Sequence, residues 1–119
     1  MRPSRTLLGL AATLACVGCG HVATASSDGT LQIGLNEYRI TPQDVRAASG
    51  TLTITVRNYG RLTHDLVISQ DGRADASTQP IAPGQATELV VALAPGQYLM
   101  ASTILADQAL GAYGSLQIR

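Results

Sequence analysis

Residues 49–69 read SGTLTITVRNYGRLTHDLVIS. Within this stretch Leu52, Ile54 and Val56 alternate with Thr51, Thr53, Thr55 and Arg57, the period of two that places apolar side chains on one face of a strand. Asn58-Tyr59-Gly60 then interrupts with turn-forming residues, and a second candidate strand covers residues 63–69. Upstream, Leu31, Ile33 and Leu35 repeat the alternation. Further candidate strands cover residues 37–40, 87–93, 97–102 and 115–119. Between them stand Ser49-Gly50, Tyr59-Gly60, Asp71-Gly72, Pro83-Gly84 and Pro95-Gly96, the punctuation expected of short strands. About seven strands at this spacing predict an all-β fold, an antiparallel Greek-key β-sandwich. Only residues 41–48 and 105–111 suit a turn of helix.

The chain has 119 residues, and its eight arginines balance six aspartates and two glutamates, with no lysine, tryptophan or phenylalanine. With 13% charged and 45% apolar residues, it is neither a basic nucleic-acid binder nor a charge-rich disordered tail. No nucleic-acid partner is expected, and a monomer is. Its core must be built from Leu, Ile, Val, Ala and the four tyrosines.

Both cysteines, Cys16 and Cys19, lie in the first twenty residues. Arg2 and Arg5 precede an uncharged run from Thr6 to Gly20, the order of an export signal and too short to span a bilayer. Small residues stand directly before both cysteines, Ala15 before Cys16 and Gly18 before Cys19. Both contexts resemble the lipobox of bacterial lipoproteins, which implies cleavage before a cysteine that carries lipid. Plain secretion with cleavage near Ala23 or Ala25, and a redox or metal C-x-x-C, are the competing readings. The expected organisation is a leader over residues 1–18, a flexible tether over 19–29 and one domain over 30–119. The expected location is exported, either lipid-anchored at the membrane or free outside the cytoplasm.

From about Leu31 to Arg119 the sequence resembles the cupredoxins, the small blue-copper sandwich fold. The first half of the match is Ser49-Gly50-Thr51, the 52–56 strand, Asn58-Tyr59-Gly60 and His64-Asp65-Leu66-Val67-Ile68. The second half runs from Leu93-Ala94-Pro95-Gly96-Gln97-Tyr98 through Met100 to Ser102, and then from Gly111-Ala112-Tyr113-Gly114 to Ile118. The resemblance implies that His64 stands at the first copper-ligand position. Ser102 occupies the cysteine position, Asp107 that of the second histidine and Ala112 that of the axial methionine. A type 1 copper site needs two imidazoles and a thiolate with a weak thioether, so the resemblance implies a degenerate site and no resident cofactor.

Three other readings attach to these residues. His64 with Asp107 and Met100, aided by His21, would form a copper or other metal site; otherwise Met100 is a core filler and His64 a partly exposed histidine. Ser102, His64 and Asp107 or Asp65 spell a nucleophilic triad, but Ser102 ends a strand and stands on no nucleophile elbow, so no enzyme is expected. Ile104, Leu105 and Leu110 either form a docking surface for an envelope protein or a small ligand, or fold inward to plug the site. The expected function is a non-redox binding or accessory module in the cell envelope, with metal handling as the alternative.

Overall fold

A computed structural model describes residues 22–119. In chain order its strands are β1 (Val22–Thr24), β2 (Thr30–Asn36), β3 (Arg39–Thr41), β4 (Asp44–Ala47), β5 (Gly50–Asn58), β6 (Val67–Gln70), β7 (Arg73–Ser77), β8 (Ala86–Leu93), β9 (Gly96–Ala101) and β10 (Tyr113–Ile118). A single turn of helix, α1 (Asp107–Leu110), precedes β10. One sheet has the order β1-β4-β10-β9-β6-β7 and the other β3-β2-β5-β8.

The alternation in β5 does what its period dictates. Leu52, Ile54 and Val56 are buried, while Thr51, Thr55 and Arg57 stay exposed. β2 lies parallel to β5 with Leu31 opposite Ile54 and Ile33 opposite Val56, so both strands present aliphatic side chains to one face. From the other sheet Val45, Ile68, Met100, Leu116 and Ile118 complete the same core. Each fully buried branched side chain contributes about 1.5–3 kcal/mol relative to exposure. Tyr98 adds a buried ring whose hydroxyl donates to the Ala94 carbonyl at 2.8 Å, the fixed corner that many sandwiches use where a chain crosses between strands.

The β-sandwich is present, but among the described residues its strands number ten and its sheets are mixed. β1 pairs in parallel with β4, β4 with β10, and β2 with β5. Residues 44–47 form β4 where a helical turn was expected, because Val45 and Ala47 point into the core at the two-residue spacing of a strand. Val22–Thr24, expected within a flexible tether, pairs along β4. β7 is an exposed polar edge strand with almost no apolar residue to betray it. The tyrosines also differ from expectation. Only Tyr98 joins the core, and Tyr38, Tyr59 and Tyr113 are exposed. The leader, Cys16, Cys19 and His21 lie outside the described residues.

One end of the sandwich collects the long connections. β2 and β5 finish there, β9 ends there at Ala101 opposite Tyr113 of β10, and β6 begins there with Val67 opposite Ala101. The 36–39 turn and the 59–66, 78–85 and 102–112 segments therefore gather at that end. The opposite end has only short turns, at residues 26–29, 48–50, 71–72 and 94–96.

Candidate functional site

His64 is held by backbone before its side chain does anything. It pairs with Ile81 as an isolated bridge, its N–H donating to the Ile81 carbonyl at 3.2 Å and accepting at its own carbonyl from Ile81 at 2.7 Å. Asn58, also wholly buried, ties the preceding loop to this bridge. Its Nδ2 donates to the carbonyls of Leu62 and Ile81, both at 2.8 Å, and its Oδ1 accepts from Gly60 N–H at 2.8 Å. Gly60 is a position where only glycine fits without movement, since a Cβ there would stand 2.5 Å from the Glu37 carboxylate.

The imidazole of His64 has no exposed surface, contrary to the expectation of a partly exposed ring. Its Nδ1 lies 2.6 Å from Asp107 Oδ2 and its Nε2 lies 3.2 Å from Glu37 Oε1. Both ring nitrogens thus face carboxylate oxygens; an imidazolium donates to both and a neutral ring to one. Asp107 comes from α1, is 4% exposed, and accepts at the same Oδ2 from the Ser102 hydroxyl at 2.7 Å. Its backbone is fixed too, for the Asp107 carbonyl accepts from Ala112 N–H and the Ala112 carbonyl from Ser102 N–H, each at 3.0 Å. Ser102 Oγ in turn accepts from Asp65 N–H at 3.2 Å. Asp65 braces the strand exit by accepting from Thr103 N–H at 2.6 Å and Thr103 Oγ1 at 2.7 Å.

Glu37 enters from the turn between β2 and β3. Its Oε1 accepts from Arg61 N–H and Leu62 N–H, both at 2.6 Å, besides facing His64. The Leu62 N–H is the largest influence holding this carboxyl below the ordinary glutamate value; partial burial opposes it, and Arg61 N–H and His64 add to it. The result is a continuous chain, Glu37–His64–Asp107–Ser102–Asp65. Among the described residues no buried side-chain nitrogen or oxygen lacks a partner.

This chain brings together His64, Asp107 and Ser102, and Ala112 lies buried against them through its backbone. It does not bring in Met100, which sits on β9 inside the aliphatic core with no exposed surface. It also includes Glu37, which sequence reasoning missed; no local pattern marks a lone glutamate in a hairpin turn as the partner of a histidine 27 residues on. The serine hydroxyl bonds to the aspartate and not to the imidazole. Both imidazole nitrogens face carboxylates, so the order differs from a serine–histidine–aspartate relay.

The donor set does not fit type 1 copper. Position 102 offers a hydroxyl, 107 a carboxylate and 112 a methyl group, and no cysteine or second histidine follows His64. Among the described residues no three histidine, cysteine or acidic side chains are grouped to hold a metal ion. Asp107 of the 103–111 segment covers His64, but the apolar side chains of that segment do not fold inward as a plug. Leu105 is 97% and Leu110 55% exposed, and Ile104 is half-buried.

Solved structures share this architecture. A dithionite-reduced auracyanin from the photosynthetic bacterium Roseiflexus castenholzii is 22% identical, covering 80% of this chain and 98% of that one with a TM-score of 0.70. Reduced rusticyanin is 16% identical over 85% of this chain and 86% of its own, with a TM-score of 0.68. Auracyanin A from Chloroflexus aurantiacus, described as a "blue" copper protein, is 17% identical over 76% of this chain and 98% of its own, with a TM-score of 0.64. At these identities the likeness shows the fold. No curated protein is significantly similar in sequence. A family model of the cupredoxin-like domain matches residues 8–112, and with the two-sheet sandwich and its gathered loop end this places the chain in the cupredoxin-like family.

Proposed function

We propose that this chain is exported, carries lipid on Cys19 or Cys16, and acts in the cell envelope as a non-redox binding or accessory module without type 1 copper and without catalysis. The observation that carries this reading is the closed hydrogen-bond chain from Glu37 to Asp65. The positions that the family resemblance assigns to copper ligands satisfy one another. His64 Nδ1 and Ser102 Oγ converge on one oxygen of Asp107, and a metal ion bound there would have to displace those bonds. The exposed side chains of Leu105 and Leu110 at the same end supply a surface for a partner. No helix among the described residues is long and apolar enough to cross a membrane, so attachment in this reading falls to the acylated cysteine.

Copper is the chemistry named for a structural neighbour, and metal handling by His64 with Asp107 and Met100 is the competing reading. It asks Met100 to leave a core position and Asp107 to share its oxygen. Titration of residues 29–119, which hold no cysteine, with Cu(I) and Cu(II) separates the two. The expected result is no sub-micromolar binding. Sub-micromolar binding that disappears in His64→Ala overturns the accessory reading in favour of metal handling.

A further inference from the structure

Nine large apolar side chains are exposed among the described residues. Val90 and Leu99 lie mid-strand on the sheet faces, and the others lie at or beside the loop end, among them Val22, Tyr38, Leu62, Leu105, Leu110 and Tyr113. Four carboxylates at that end are engaged within the fold: Glu37, half-buried, accepts from Arg61 and Leu62 N–H, Asp65, half-buried, from Thr103, Asp44 from the Ser115 hydroxyl, and Asp107 is buried against His64. Arg39 and Arg61 stay exposed there, and neither pairs with a described carboxylate. The surface of this end therefore combines exposed apolar side chains with two arginines that no described carboxylate pairs, its half-buried carboxylates being engaged within the fold.

The chain also enters the fold at this end. β1 runs parallel to β4 and β4 to β10, with Val22 level with Asp44 and Asp44 level with Ser115. β1 thus begins on the side from which β10 starts, next to the 102–112 segment. β1 and β10 are two strand spacings apart, about 10 Å. Cys19 is three residues before Val22, a reach of at most about 11 Å, and Cys16 six residues, about 22 Å.

We infer that the occupant of the loop-end apolar surface is the lipid bilayer itself. This rests on the proposed acylation of Cys19 or Cys16, and it specifies what that anchor does. A lipid held so close to β1 draws the loop end down against the membrane, with Leu105 and Leu110 entering the acyl boundary. Tyr38 and Tyr113 then lie at headgroup depth, where amphipathic rings are favoured. Arg39 and Arg61 face anionic headgroups. The domain is a membrane-lying module with a fixed orientation and not a body swinging on a long tether.

The chain contains no tryptophan, so single tryptophans report depth without background. The full chain, expressed in a bacterium that acylates exported lipoproteins, is reconstituted into vesicles of phosphatidylethanolamine and phosphatidylglycerol with brominated acyl chains. Leu105→Trp and Leu110→Trp replace exposed side chains, and Val90→Trp serves as the control on the sheet face. Emission at 105 and 110 is expected to be quenched about twofold or more, as burial 5–10 Å into the interface requires, with position 90 unaffected. An acylated chain whose three probes respond alike overturns the inference and leaves the anchor standing. A mass spectrum of the mature chain without acyl groups overturns the anchor and the inference together. Protection of positions 105 and 110 only on adding envelope proteins overturns it in favour of a protein partner.

Discussion

Ile54 and His64 are equally buried, neither exposing any surface, yet they depend on their surroundings in different ways. Ile54 is one of many aliphatic side chains in a core whose cohesion is non-directional, so its neighbours can relax around a change of shape. His64 sits in a chain of directional bonds whose partners are held in place by the backbone, so a partner removed there is not made good by repacking. The sandwich thus has a tolerant interior and an exacting end. Burial alone does not tell them apart; the geometry of what touches each residue does.

The largest effect is expected at Asp107. Asp107→Ala removes the acceptor facing His64 Nδ1 and leaves the Ser102 hydroxyl only the more distant Asp65 Oδ1 at 3.4 Å, and at about 1–3 kcal/mol per orphaned buried donor the loss is at least about 1–3 kcal/mol in urea unfolding. A loss below that of a conservative core change would dissolve the contrast between the two regions. Such a core change, Ile54→Val, is expected to cost about 0.5–1.5 kcal/mol by the same measurement.

Glu37 sharpens the comparison through pH. Its carboxyl titrates below the ordinary glutamate value of 4.5, so its contribution to stability is complete above that value and is lost as pH falls through the lower folded-state value. Unfolding free energy followed from pH 7 to pH 3 should therefore fall less steeply in Glu37→Gln than in the parent chain. Parallel slopes would mean that the Leu62 and Arg61 N–H bonds to this carboxylate add nothing. The smallest effect belongs to Leu105→Ser, where the side chain is 97% exposed; stability should stay within about 0.5 kcal/mol. A larger loss would show that the 102–112 segment supports the fold.

The strands with strong alternation, β2, β5, β8 and β9, were legible because one buried face imposes a period of two. β1, β4 and β7 were not. Each has five residues or fewer, and β1 and β7 are sheet edges that bury almost nothing, so pairing forms them without leaving an apolar pattern. Parallel pairing was equally invisible, because alternation reports which face is buried and not the direction of the neighbour. At the site, the family resemblance pointed to positions 64, 102, 107 and 112. The residue types at 102 and 107 name a hydroxyl and a carboxylate as the available donors, whatever their geometry. What no residue type revealed is how they settle, since Glu37 reaches His64 from the turn between β2 and β3, 27 residues away, and Asp107 from 43 residues away. The complete burial of His64 follows from those two contacts and from the Ile81 bridge. It is a tertiary outcome with no local signal.

The placement of the four tyrosines has a spectroscopic consequence. With no tryptophan or phenylalanine in the chain, the near-ultraviolet signal of the unlabelled protein is a tyrosine signal. Tyr98 reports the interior through its bond to Ala94. Tyr38, Tyr59 and Tyr113 are exposed at or beside the loop end, and the Tyr59 ring lies 5.6 Å from the Arg57 guanidinium. Three of the four chromophores therefore stand where any occupant of that end would change their surroundings. Absorbance and circular dichroism of the native chain can follow that event, with Tyr98 as the internal reference for an intact fold.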